Sequence, residues 1–252
     1  KLEEAIDYYK KVISLKANYV DAYNNLGNAY KAQGKINKSI ELYKKALSVN
    51  PKYIKPLNNI GNSLQELGKL EEARKTYEKV LSIKPDYIDA YNNLGVTLKE
   101  QGKFSQAIEV YNKAILLNPK SEQVYYNLGN IFLETGNYNK SVDSFNNAIN
   151  NSIDNPKILE SSQNMLLKAL YYLNNKEKFY SHLQKLVDLG KSNAIIGSLA
   201  CRANHKYHTE INNLFCNKPM DYIIEKSILG ECDFEKDFIK ETNNILQSKN
   251  IS

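Results

Sequence analysis

Between residues 22 and 156 the apolar positions fall into blocks, and the blocks return every 34 residues. In "SIELYKKALSVNP" Ile40, Tyr43 and the pair Ala46 and Leu47 follow one another at spacings of three or four, which is one stripe of an amphipathic helix. The segments "EARKTYEKVLSIKP", "QAIEVYNKAILLNP" and "SVDSFNNAINNSIDNP" carry the same stripe. Before each runs a second kind of block: "AYNNLGNAYKAQGK" at 22, "PLNNIGNSLQELGK" at 56, "AYNNLGVTLKEQGK" at 90 and "VYYNLGNIFLETGN" at 124. The pattern predicts two helices per unit, four units in strict register, and an all-α chain.

Glycine marks the unit. Eight of the eleven glycines form pairs seven apart: Gly27/Gly34, Gly61/Gly68, Gly95/Gly102 and Gly129/Gly136. The second of each pair stands where the first helix should stop, and glycine can take the left-handed conformation that closes a helix. The first lies inside the helix, where it costs about 1 kcal/mol relative to alanine. Close packing of the first helix on the second, with Tyr43 and its equivalents interlocking and Ala73 and Ala107 as small partners, is the expected compensation. The second helices end near Pro51, Pro85 and Pro119.

Tyr23, Leu26, Gly27, Tyr30, Ser39, Tyr43, Ala46 and Pro51, and again Tyr91, Leu94, Gly95, Leu98, Ala107, Tyr111, Ala114 and Pro119, form a pattern that resembles the tetratricopeptide repeat family. The resemblance implies a right-handed superhelix, a solenoid of antiparallel helix pairs. Residues 1–20 match only the second half of a unit, with Ala5, Tyr9 and Val12 at its small and aromatic sites, so a first helix is expected upstream of Lys1. Residues 21–156 hold four units. In the second unit Leu57 replaces the leading aromatic and Val80 the later alanine; in the fourth, Ile153 stands in place of the proline. Residues 157–190 keep two apolar stretches without the repeat's glycines and read as a degenerate fifth pair. Residues 191–252 read as a helical C-terminal cap or connector, since a stack needs an atypical end to cover its last apolar face.

Asparagine is the candidate functional signal. Asn25, Asn59, Asn93 and Asn127 recur without exception; Asn24, Asn58 and Asn92 stand beside the first three; Asn28, Asn62 and Asn130 follow one turn on, with Val96 interrupting. In the family, first helices line the concave face, so these amides would form a ladder along a groove. A primary amide donates and accepts as a peptide bond does, and a row of them suits an extended peptide backbone. The ladder is similar to the repeat arm of O-linked N-acetylglucosamine transferases. It could equally bond neighbouring repeats to one another. A clamp for acidic peptide termini would need basic groove residues, but Asp21, Lys55, Asp89 and Gln123 include only one.

Composition narrows the partners to a protein or peptide. The chain is 42% hydrophobic and 25% charged with net charge +6, yet its only arginines are Arg74 and Arg202. Phosphate readers lean on arginine forks, so nucleic acid is not expected. The longest apolar run, 194–201, is too short for membrane insertion. Three cysteines, all after residue 200, make no disulfide framework and fit a reducing, cytoplasmic setting. No phosphate loop, Gly-x-Ser-x-Gly or His-Glu-x-x-His occurs, so no catalytic residue, metal or cofactor is assigned and the chain is not expected to be an enzyme. Cys201, His205, His208 and Cys216 match no compact zinc module, and no second histidine follows His208-Thr-Glu210 to complete an iron site. "FCNKPMDY", with Phe215, Cys216, Pro219, Asp221 and Tyr222, resembles the connector to a 2-oxoglutarate, iron-dependent oxygenase domain. This resemblance and that of the asparagine ladder together imply an alternative, in which the chain is the substrate-recruiting arm of a protein-modifying enzyme of oxygenase or glycosyltransferase type.

Overall fold

The computed structural model describes residues 1–191 and 193–208. Twelve α-helices and no strands occur among the described residues: α1 (Leu2–Leu15), α2 (Val20–Ala32), α3 (Ile36–Val49), α4 (Ile54–Glu66), α5 (Leu70–Ile83), α6 (Ile88–Glu100), α7 (Phe104–Leu117), α8 (Glu122–Glu134), α9 (Tyr138–Asn151), α10 (Pro156–Tyr172), α11 (Lys176–Asp188) and α12 (Ala194–Tyr207). Each helix packs on its successor up to α11, and α12 folds back on α10 and α11. The result is an all-α repeat solenoid. The connector segment around Phe215 to Tyr222, with Cys216 and everything else after residue 208, lies outside the described residues.

The turns follow from the glycines. Gly34, Gly68, Gly102 and Gly136 have φ between 71° and 76°, the left-handed region that costs a residue with a Cβ about 1–2 kcal/mol. The next residue donates its N–H to the carbonyl five back, Lys35 to Tyr30, Lys69 to Leu64, Lys103 to Leu98 and Asn137 to Phe132, at 2.8–2.9 Å. This bond satisfies a carbonyl that the helix end leaves open. The fifth pair keeps the device without the glycine. Asn174 takes φ 59°, and Asn175 donates to Leu170. Asn155 and Asn175 also cap α10 and α11 by accepting from the N–H groups of Ile158 and Lys178, a contact that contributes about 1 kcal/mol.

The helix-interior glycines make room for an aromatic ring. A Cβ on Gly27, Gly61 or Gly95 would lie 2.4–2.5 Å from Cε1 of Tyr43, Tyr77 or Tyr111, and one on Gly129 would lie 2.7 Å from that of Phe145. The close approach is therefore ring to backbone. All four rings are fully buried, and so is Phe179, which continues the 34-residue series into the fifth pair. Small residues at 0% exposure, Ser39, Ala73, Ala107 and Ser141, let the helices close around them. Burying one aromatic ring contributes about 1.5–3 kcal/mol, which outweighs the propensity lost at its glycine. On α12, Ile196, Leu199, Ala200 and Ala203 are buried in the same cluster as Phe179.

The stack is shorter on one side. Each first helix touches the next first helix, in the series α2, α4, α6, α8 and α10, whereas no contact of that extent joins consecutive second helices. The first helices therefore lie on the concave wall.

Candidate functional site

Four positions of each first helix face away from its packed side: 21, 25, 28 and 32 in α2, and the same positions 34, 68 and 102 residues on. They are four, three and four residues apart, which on a helix is one continuous stripe. The stripe reads Asp21, Asn25, Asn28, Ala32; Lys55, Asn59, Asn62, Glu66; Asp89, Asn93, Val96, Glu100; and Gln123, Asn127, Asn130, Glu134. Every one of these side chains is exposed or half-buried. Asn24 and Asn58 sit beside the stripe with 5% and 7% exposure, and Asn92 is half-buried.

The amides bond one another from repeat to repeat. Asn59 donates through Nδ2 to Oδ1 of both Asn24 and Asn28, at 3.0 Å each. Asn93 donates to Oδ1 of Asn62 at 2.9 Å, and Asn127 to Oδ1 of Asn92 at 2.8 Å. Within α2, Asn24 donates to Asn25 at 3.3 Å. The buried tyrosines join from below: Tyr43 donates its hydroxyl hydrogen to Oδ1 of Asn28 at 2.8 Å, and Tyr77 donates to Oδ1 of Asn62 at 2.6 Å. The ladder thus helps hold the stack together, and that employs part of its capacity. Nδ2 of Asn25 and Oδ1 of Asn59 and of Asn93 keep no partner among the described residues, nor does either end of Asn130.

The third and fourth units break the pattern in different ways. Val96 replaces the acceptor that Asn28 and Asn62 supply, so the hydroxyl of Tyr111, fully buried, has no partner of hydrogen-bonding geometry. In the fourth unit Phe145 has no hydroxyl to offer, which leaves Asn130 unengaged. Asn58 Oδ1 is likewise buried without a donor, because Asn93 bonds Asn62 alone.

Burial pushes the Tyr43 hydroxyl up to about 12; the Ser39 hydroxyl offsets part of the rise and Glu66 adds to it. Burial raises Tyr77 too, with help from the charge of Glu100. Tyr111 rises by burial, with Asn127 offsetting part and Glu100 adding. These hydroxyls stay protonated, and those of Tyr43 and Tyr77 act as fixed donors.

Ion pairs cross the repeats at the stripe's C-terminal end. Lys31 reaches Glu66 and Lys99 reaches Glu134, both at 3.2 Å. Glu100 has no such pair, since Gln65 stands where Lys31 and Lys99 stand. The repeat pattern singles out the asparagines but not the tyrosine hydroxyls beneath them. The signal that could have found those hydroxyls is the constant separation of 15 residues from Asn28 to Tyr43 and from Asn62 to Tyr77.

Among the described residues no group of three or more His, Cys, Asp or Glu is placed to hold a metal ion, and no helix is long and apolar enough to cross a membrane.

The chain is similar to proteins of known structure. Its matches include MamA, at 26% identity over 62% of this chain and 91% of that one with a TM-score of 0.55. PilF of Pseudomonas aeruginosa matches at 18% identity over 80% of this chain and 99% of that one, with a TM-score of 0.63. YrrB, described as a TPR protein with an unusual peptide-binding site, matches at 20% identity over 64% of this chain and 84% of that one, with a TM-score of 0.51. Among functionally curated proteins, none matches the chain. Profiles described as "TPR repeat" match residues 1–34, 61–102 and 97–136, and profiles described as "Tetratricopeptide repeat" match 20–53, 42–75 and 122–152. Together they cover residues 1–152 without a gap, in agreement with the buried ring of every repeat lying on its glycine, and the chain belongs to the tetratricopeptide repeat family.

Proposed function

We propose that the chain is a protein-interaction module that binds an extended peptide or protein segment along its concave face. The observation that carries this reading is the amide stripe, whose members at 25, 59, 93 and 127 are regularly spaced and lie on the inner wall, and of which Asn25, Asn59 and Asn93 retain unspent hydrogen-bonding groups. A guest in extended conformation presents N–H and C=O groups along its length, and the free amide groups pair with either kind. YrrB, which shares the fold, has a peptide-binding site, and that likeness supports the reading. Asn25, Asn59, Asn93 and Asn130 are the contacts proposed for the guest; Asn24, Asn28, Asn62, Asn92 and Asn127 hold the stripe in register, and Asn58 lies buried beside them.

Position-specific crosslinking tests this. A photoreactive residue is placed at Asn25 or Asn130 on the inner stripe, or at Lys45 or Lys113, which are exposed on second helices. The inner positions are expected to capture a partner from cell extract that the outer ones do not. Equal capture from the outer positions would remove the groove from consideration.

A further inference from the structure

Two departures from the repeat coincide in the third unit. Val96 places an isopropyl group in the amide stripe, and Glu100 stands one turn further on the same face, at the i,i+4 spacing that brings side chains together. Glu100 is exposed and is the one carboxylate of its register, among Glu66, Glu100 and Glu134, with no lysine from the preceding repeat. The reason lies in the sequence: Gln65 replaces the lysine, and Tyr77 donates to that glutamine at 3.4 Å. Beneath Val96 lies the buried, unpartnered hydroxyl of Tyr111, where the two preceding repeats place a tyrosine bonded to asparagine. Stability alone would favour asparagine at 96, because a buried hydroxyl without a partner costs about 1–3 kcal/mol.

The surroundings are rich in acceptors. The donors of Asn59 and Asn93 turn into the stack, while their carbonyl oxygens keep no partner among the described residues. Over the four repeats the stripe holds five carboxylates, Asp21, Glu66, Asp89, Glu100 and Glu134, against the single cation Lys55 on the stripe itself; Lys31 and Lys99 beside it pair with Glu66 and Glu134, which leaves Asp21, Asp89 and Glu100 in excess. This is the reverse of the chain as a whole, whose net charge is +6. Exposed second-helix lysines such as Lys38, Lys45, Lys79 and Lys113 carry the positive excess elsewhere.

We infer that the third repeat is a specificity point of the groove, and that it takes a lysine or arginine side chain from an extended guest. The aliphatic stem of the guest residue covers Val96 and its charged head reaches Glu100, since long basic side chains readily combine an apolar stem with a solvated charge. The guest's backbone N–H groups pair with the free oxygens of Asn59 and Asn93. A guest of high negative charge is excluded. This deepens the groove reading above and rests on it.

The test uses a defined library of unstructured 12-residue peptides, each identical except for one central Lys, Arg, norleucine or Glu, with affinity read by fluorescence anisotropy. Lys and Arg peptides are expected to bind more tightly than norleucine, and norleucine more tightly than Glu. Glu100→Gln is expected to reduce the Lys-over-norleucine preference by about two- to five-fold, the range for one solvent-exposed ion pair. Val96→Asn is expected to lower affinity for the Lys and norleucine peptides alike while leaving the fold as stable as before or more so. Binding that ignores the central residue, or a Lys preference unchanged in Glu100→Gln, would overturn this inference and leave the groove reading standing. No binding by any peptide would overturn both. Circular dichroism of each variant separates lost recognition from lost structure.

Discussion

Tyr43 donates its hydroxyl hydrogen to Oδ1 of Asn28 at 2.8 Å, across the two helices of a single repeat. The same oxygen accepts from Asn59 of the next repeat. One amide therefore ties a buried ring to its own hairpin and that hairpin to its neighbour.

Removing that amide should cost stability. Asn28→Ala leaves the buried Tyr43 hydroxyl without an acceptor, and about 1–3 kcal/mol is the expected loss; Asn62→Ala leaves Tyr77 only its 3.4 Å contact with Gln65 and should cost less than Asn28→Ala but more than Asn130→Ala. Asn130→Ala, which faces Phe145 and orphans no hydroxyl, should change stability by less than about 0.5 kcal/mol. Urea denaturation of the three variants makes the comparison. Equal losses at all three positions would show that the tyrosine bond is irrelevant.

Tyr77→Phe and Tyr111→Phe should part company in the same way. The first removes a 2.6 Å bond and should cost about 0.5–1.5 kcal/mol. The second removes a hydroxyl that has no partner, and should be neutral or stabilising. The wild type should also lose stability in alkali. Tyrosines whose folded pKa lies above the ordinary 10 keep their protons when the unfolded chain has lost them. Stability is thus whole below pH 10 and falls as pH rises through the folded values, which for Tyr43 is about 12. Denaturation midpoints above pH 10 should fall less steeply in Tyr111→Phe.

The two kinds of glycine should respond to different substitutions. In Gly95→Ala the new methyl lies 2.4 Å from the Tyr111 ring, which must shift against packed neighbours, and a cost of about 1–3 kcal/mol is expected. At Gly102 there is open space but φ is 71°. Gly102→Asn should be milder than Gly102→Val, because Asn174 already closes a helix at φ 59° and a β-branched residue tolerates that region poorly. Thermal unfolding of the three variants decides the order.

Acid should loosen the fifth pair. Nε2 of His182 lies 3.0 Å from the Gln163 carbonyl, and burial holds the ring's pKa below its ordinary 6.5, with the carbonyl offsetting part of the drop and Lys185 deepening it. The unfolded chain takes up a proton near 6.5 that the folded ring refuses. Stability is therefore full above that pH and declines as pH falls below it. Hydrogen exchange in α10 and α11 at about pH 7 and about pH 5 reads the effect, and His182→Gln, which cannot titrate, should abolish it.

What the sequence determined by itself was the repeat. Glycine at 27 and 34 and the stripe of Tyr43 and Ala46, returned every 34 residues, state two helices, a tight turn and a buried ring, because each depends on contacts inside one hairpin or between neighbouring ones. That the asparagines share one stripe of each first helix also followed from their spacing, while the inward direction of that stripe was implied by the family resemblance. The tertiary structure decided how those amides are spent. Whether Asn93 reaches Asn58 or Asn62, and that Lys31 and Lys99 reach Glu66 and Glu134 across the repeats, depend on ångström-scale distances between helices of neighbouring repeats. Hydrogen bonds and ion pairs weaken steeply over such distances, and a one-dimensional pattern records which groups are present without recording which of them meet.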